Sequence, residues 1–106
     1  MWPFRSRKSD KEVAKGLRID AGKLRILGQF DAAYENYKRA YALYEKLGDT
    51  DAQCNVLCSL AETARRDERQ QFLEKIEAVC ATMRDPDEKA RALKNLDALK
   101  ERLRNS

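Results

Sequence analysis

The sequence predicts an all-α protein, and three observations predict it. More than eighty residues without a proline separate Pro3 from Pro86, and proline is the residue that breaks helices most sharply. Apolar residues recur at spacings of three and four along most of the chain, which is the period of one helix face. No stretch alternates apolar and polar residues over the length of a strand. Gly28, Gly48 and Pro86 stand where the apolar runs stop, and with the charged run Arg65–Arg69 they divide the chain into five helices of roughly 13–19 residues.

The first helix is capped by Ser9 or Asp10, with Glu12 in its first turn, where negative charge is favoured. It runs to about Leu27 on Val13, Leu17, Ala21, Leu24 and Leu27 or Ile26. Gly16 and Gly22 weaken it, each by about 1 kcal/mol relative to alanine. Ala21, between Leu17 and Leu24, marks a close helix crossing.

The second helix, with Asp31 as its N-cap, extends to Leu47 and organises the rest of the chain. Its tyrosines at 34, 37, 41 and 44 are spaced 3, 4 and 3, so they form one stripe, and Ala33 and Ala40 leave room for a neighbour. Gly48 suits the left-handed position that ends a helix.

The third helix runs from the Gly48-Asp49-Thr50 turn to about Arg66, on Ala52, Val56 or Leu57, Leu60, Ala61 and Ala64, joined by Cys54 and Cys58. The run Arg65–Arg69 makes the next turn. A fourth helix, on Phe72, Leu73, Ile76, Val79 and Cys80, reaches Met83. Asp85 then caps a fifth, with Pro86 in the first turn and Glu88 reaching back as in a capping box. Ala90, Leu93, Leu96, Leu99 or Lys100, and Leu103 give it an apolar side. Its polar outer face suits a closing helix.

At 106 residues the chain predicts one domain, residues 10–106, preceded by a basic and aromatic segment, 1–9. The net charge of +4 is unevenly placed: residues 1–18 carry +4, 19–85 carry −2 and 86–106 carry +2. A body with intermixed signs reads as a solvated surface, and no basic face interleaved with aromatics marks a nucleic-acid binder. There is no histidine, no glycine-rich phosphate loop and no pair of acids in an apolar setting, so the sequence predicts neither an enzyme nor a cofactor site.

Cys54, Cys58 and Cys80 are odd in number and stand where small apolar residues would. They read as free buried thiols of a reducing, cytoplasmic compartment, with no metal. Trp2 and Phe4 alternate with Arg5, Arg7 and Lys8. This segment is too short to span a bilayer, and it either packs on the first helix or touches an anionic membrane surface.

An offset of 40 residues takes Leu17 and Ala21 to Leu57 and Ala61, Ala33 to Leu73, and Ala40 to Cys80, which points to repeated helical hairpins. Gly28, Phe30, Asp31, Ala33, Tyr37 and Ala40 resemble the second half of a tetratricopeptide repeat. Leu17, Ala21 and Leu24 resemble the large, small, large pattern of its first half, with Asp20 where leucine is usual. The resemblance implies a right-handed stack of antiparallel hairpins: repeat one over about 14–49, a degenerate repeat two over about 50–85, and a capping helix over 86–104.

Such repeats act as scaffolds that hold a partner's extended or helical segment against the first helix of each hairpin. Carried onto this chain, the resemblance implicates Lys15, Arg18, Gly22, Arg25 and Ile26 from repeat one. It adds Asn55, Cys58, Glu62 and Arg65 from repeat two, and Arg91 and Lys94 from the closing helix. Gly22 stands where carboxylate-clamping members of the family carry asparagine. The resemblance therefore implies a partly basic groove suited to an acidic peptide rather than a full clamp. Lys15, Arg18 and Arg25 fall within about 80° of helix rotation, on the flank away from Leu17, Ala21 and Leu24. Self-association through an uncovered end is a variant of this reading. The alternative is a basic adaptor for nucleic acid or an anionic membrane surface.

Overall fold

Helix signals in the sequence become five α-helices in the computed structural model, which describes residues 8–105: α1 (Asp10–Ile26), α2 (Phe30–Leu47), α3 (Thr50–Thr63), α4 (Arg69–Thr82) and α5 (Pro86–Arg104). A single 3-10 turn, Arg66–Glu68, precedes α4, and there is no strand among the described residues. None of these helices is long and apolar enough to cross a membrane. Trp2, Phe4 and Arg5, and with them the membrane-surface reading of the first segment, lie outside the described residues.

The helix ends follow local chemistry. Ser9 caps α1 and forms a complete capping box: the Glu12 N–H donates to Ser9 Oγ at 3.2 Å, and the Ser9 N–H donates back to Glu12 Oε1 at 3.1 Å. That return bond and the Ser9 hydroxyl hold the Glu12 carboxyl below its ordinary range. Gly28 (φ +79) and Gly48 (φ +70) both take the left-handed conformation that a following amide needs to reach back five residues. Gln29 N–H donates to Leu24 O at 2.9 Å and Asp49 N–H to Tyr44 O at 3.1 Å.

Two caps differ from the sequence reading. Asp31 does not cap α2: the helix begins one residue earlier, at Phe30, because the turn around Gly28 is already closed at Gln29, whose side chain makes no cap bond. At α5, Asp85 accepts from the Asp87 and Glu88 amides as expected, but Glu88 does not reach back. Its carboxylate instead accepts from the Thr50 hydroxyl at 3.2 Å, tying the start of α5 to the start of α3.

Consecutive helices pack on one another, and α3 also packs on α5. Lys46 Nζ in the last turn of α2 lies 3.0 Å from Asp10 Oδ2 in the first turn of α1, so these two run antiparallel. Their interface is made of small residues: Ala14, Ala21, Ala33 and Ala40 are fully buried, with Tyr37 and Tyr44 beside them. The interior around α3 is filled by larger aliphatics, Val56, Leu57, Leu60, Ile76 and Leu99, each side chain worth about 1.5–3 kcal/mol of burial.

The tyrosine stripe of α2 divides between two neighbours. Tyr37 and Tyr44 are buried, whereas Tyr34 and Tyr41 are half-buried against α4. The Tyr34 ring meets Phe72 edge-on with centroids 6.1 Å apart, and Lys75 Nζ lies 5.5 Å from the Tyr41 ring centre. Overall the molecule measures 53 × 36 × 18 Å, so its least dimension is under two helix diameters.

Candidate functional site

One side of α1 carries Lys11, Lys15, Arg18, Gly22 and Arg25 at spacings of four, three, four and three, which places them on a single face. The fold sets this face beside α3. A cleft of about 270 Å³ lies between Lys11, Lys15 and Arg18 of α1 and Asp51, Ala52 and Asn55 of α3. On the other side of α3, a cleft of about 280 Å³ is bounded by Asp51, Asn55 and Cys58 and by Arg91 and Asn95 of α5. Asp51 and Asn55 line both, so the two clefts lie side by side across α3, one toward α1 and one toward α5; together they are called the groove below.

The electrostatics of this face are uneven along its length. Arg18 is half-buried, and its Nε is buried without a hydrogen-bond partner among the described residues. An unmet buried polar group of this kind costs about 1–3 kcal/mol, more when charged. About 10 Å further along the helices, seven residues at 1.5 Å each, the cations are already matched. Arg25 Nη1 lies 3.5 Å from Glu62 Oε1, and Arg102 Nη2 lies 3.4 Å from Glu62 Oε2. Glu62 therefore joins α1, α3 and α5 at that end.

Of the residues named from sequence, the groove brings together Lys15, Arg18, Asn55, Cys58 and Arg91. Arg25 and Glu62 lie on the same face but bind each other. Gly22 is half-buried, and a Cβ placed there would meet no atom within 4 Å, so the face has an open position at that level.

Three expectations need correction. Arg65 lies elsewhere: α3 stops at Thr63, and Arg65 lines a separate cleft of about 530 Å³ with Asp31, Glu35, Asp67 and Glu68. Lys94 is exposed on α5 and lines neither part of the groove. Ile26 is 87% exposed at the end of α1, beside Leu27 and Phe30, and lines neither part either.

Lys11, Asp51, Asn95 and Arg102 went unremarked in the sequence. The signal for them was the 40-residue offset itself. It relates Lys11, Asp51 and Arg91, then Lys15, Asn55 and Asn95, then Gly22, Glu62 and Arg102.

The cysteines are free. Burial, and then the neighbouring Cys80, push the Cys54 thiol up to about 12. Burial, and then the Glu62 charge, raise that of Cys58. Burial thus favours the protonated form of both thiols, which makes them poor nucleophiles. Among the described residues no group of three or more Cys, Asp or Glu is arranged to hold a metal ion. Against known proteins, no family model, no curated protein and no solved structure matches this chain.

Proposed function

We propose that this chain is a helical-repeat scaffold of the tetratricopeptide type, and that it binds an acid-bearing segment of a partner protein in the groove across α1, α3 and α5. The repeat reading is supported by burial that recurs at the 40-residue offset: Ala21 and Ala61, Ala33 and Leu73, Ala40 and Cys80 are all in the core. On this reading α1, α3 and α5 form one layer of a hairpin stack and α2 and α4 the other. The correspondence is broken at Tyr37, buried, against Glu77, exposed, one position at which the second repeat has degenerated.

The observation that carries the binding reading is Arg18. Its guanidinium lines a concave place with Lys15 and Asn55 and makes no ion pair among the described residues, so a ligand carboxylate there would supply the missing counter-charge through the outer nitrogens. Asn55 and Asn95 supply a donor and an acceptor each for the main chain of an extended segment. Lys11, Lys15 and Arg91 add the long-range attraction that speeds encounter.

The test is titration of a fluorescein-labelled, acetylated hexaglutamate peptide at low salt. Arg18→Glu should weaken binding at least tenfold, about 1.4 kcal/mol, with little change in melting temperature. Absence of binding by the unmodified protein, or equal binding by the variant, would remove the acidic-peptide reading.

A further inference from the structure

We propose that the cleft between the start of α4 and the last turns of α5 is a binding site for a small polyanion that carries two or more phosphate groups. This cleft, of about 560 Å³, is separate from the groove, so the inference does not rest on the peptide reading. Arg66 and Arg69 line it from the α4 side and Lys100 and Arg104 from the α5 side, with Leu73 and Leu103 as its apolar part. No acidic side chain lines it. The acids of the turn before α4, Asp67 and Glu68, line the cleft that holds Arg65 instead, where the Tyr34 hydroxyl donates to Glu68 at 3.5 Å.

The four cations are not idle. Lys100 Nζ lies 3.3 Å from Glu77 Oε1, and Arg104 Nη1 lies 2.9 Å from Glu101 Oε2, while Arg66 and Arg69 make contacts of their own. Glu77 and Glu101 stand outside the cleft and are more than half exposed. Solvated pairs of this kind contribute about 0–1 kcal/mol, so Lys100 and Arg104 can turn to a ligand at small cost. The start of α4 adds to the attraction. Each of α1, α2, α3 and α5 has an acidic residue in its first turn, which suits the positive end of the helix dipole. By contrast, α4 has none and no side-chain cap, and its first residue is Arg69. An anion in the cleft supplies the negative charge that this helix end lacks.

Charge and shape select the ligand class. A phosphate monoester carries about −1.5 to −2 at neutral pH, so two of them answer four cations. Guanidinium forks match phosphate oxygens in pairs, and the volume is that of a small-molecule site. A free polyphosphate and an inositol bisphosphate lipid headgroup present the same chemistry.

The experiment titrates inorganic tripolyphosphate into the isotope-labelled protein at physiological ionic strength and follows the amide resonances. Shifts should be confined to residues 66–73 and 100–104, and orthophosphate should bind about tenfold more weakly. Arg66→Glu and Arg104→Glu should each weaken tripolyphosphate about tenfold, with melting curves close to the parent's, whereas Arg18→Glu should not weaken it. Sedimentation with phosphatidylcholine vesicles, with and without phosphatidylinositol bisphosphate, separates the two sources. Capture that requires the bisphosphate lipid and is lost in Arg104→Glu assigns the site to the headgroup, and tripolyphosphate binding without capture assigns it to a soluble ligand. No binding, shifts spread over the other basic faces, or equal binding by both glutamate variants overturns the site and leaves the peptide groove untouched.

Discussion

The α1–α2 interface and the interior around α3 solve the same packing problem in opposite ways. Between α1 and α2 the buried positions are Ala14, Ala21, Ala33 and Ala40, all at zero exposure, so the backbones lie close and the tyrosines of α2 supply the area. Around α3 the buried positions are Val56, Leu57, Leu60, Ile76 and Leu99, so the helices are held by filled volume. The difference teaches which kind of change each region tolerates. An interface of alanines has nothing to lose and no room to gain, whereas one of leucines has much to lose.

That contrast has consequences that can be measured, the largest at Ala40. Ala40→Arg puts a charge and a long side chain where no space exists, and should cost several kcal/mol. Circular dichroism should show the variant largely unfolded or melting far below the parent, and an unchanged melting curve would refute the close approach at that position. Leu60→Ala should cost about 3 kcal/mol through lost contact and a residual cavity, read from urea unfolding. A loss below about 1 kcal/mol would mean that α3 packs as loosely as a surface helix.

A smaller effect comes from Cys54. Its folded-state pKa is raised, so folding favours the protonated thiol. The associated stability is complete below the ordinary thiol value of 9 and is lost as pH rises toward about 12. Unfolding at pH 8 and pH 10.5 should differ by on the order of 1 kcal/mol more in the parent than in Cys54→Ala. An identical alkaline slope in the two proteins would show that the thiol is not held in an apolar setting.

The smallest effect should be a gain, on the other side of α1 from the alanine interface. Gly16 is helical, and a Cβ added there meets nothing within 4 Å. Gly16→Ala should therefore stabilise by about 0.5–1 kcal/mol, a rise of a few degrees in melting temperature. A decrease would mean that the space beside Gly16 is used by something else.

Much of the fold was legible because helix ends are chosen by neighbours in sequence. Ser9 with Glu12, Gly48, and Asp85 before Pro86 act over three to five residues, and all three behave as their spacing suggests. The candidate site was legible only where it follows helix periodicity. Lys15, Arg18 and Arg91 reach the groove because they share a face with its walls. Arg65 was misplaced because its position depends on where α3 stops: at Thr63 the chain leaves the helix, and two residues later the side chain serves another cleft. Lys94 stands out along α5 by its charge, whereas the repeat offset from Lys15 and Asn55 leads to Asn95.

The sequence by itself determined that there are five helices, where most of them begin and end, and which stripes are apolar. Those are local matters of propensity, capping and period, settled within a turn or two of chain. Only the tertiary structure decided that Glu88 turns to Thr50 rather than to its own cap, and that the tyrosine stripe of α2 divides, with Tyr34 and Tyr41 against α4 and Tyr37 and Tyr44 buried in the core. It also decided that Glu62 joins Arg25 and Arg102 while Arg18 goes without a partner among the described residues. Glu62 and its two arginines are 37 and 40 positions apart in sequence, and charges so separated choose one another only after the packing of α1 and α5 beside α3 has brought them within 4 Å.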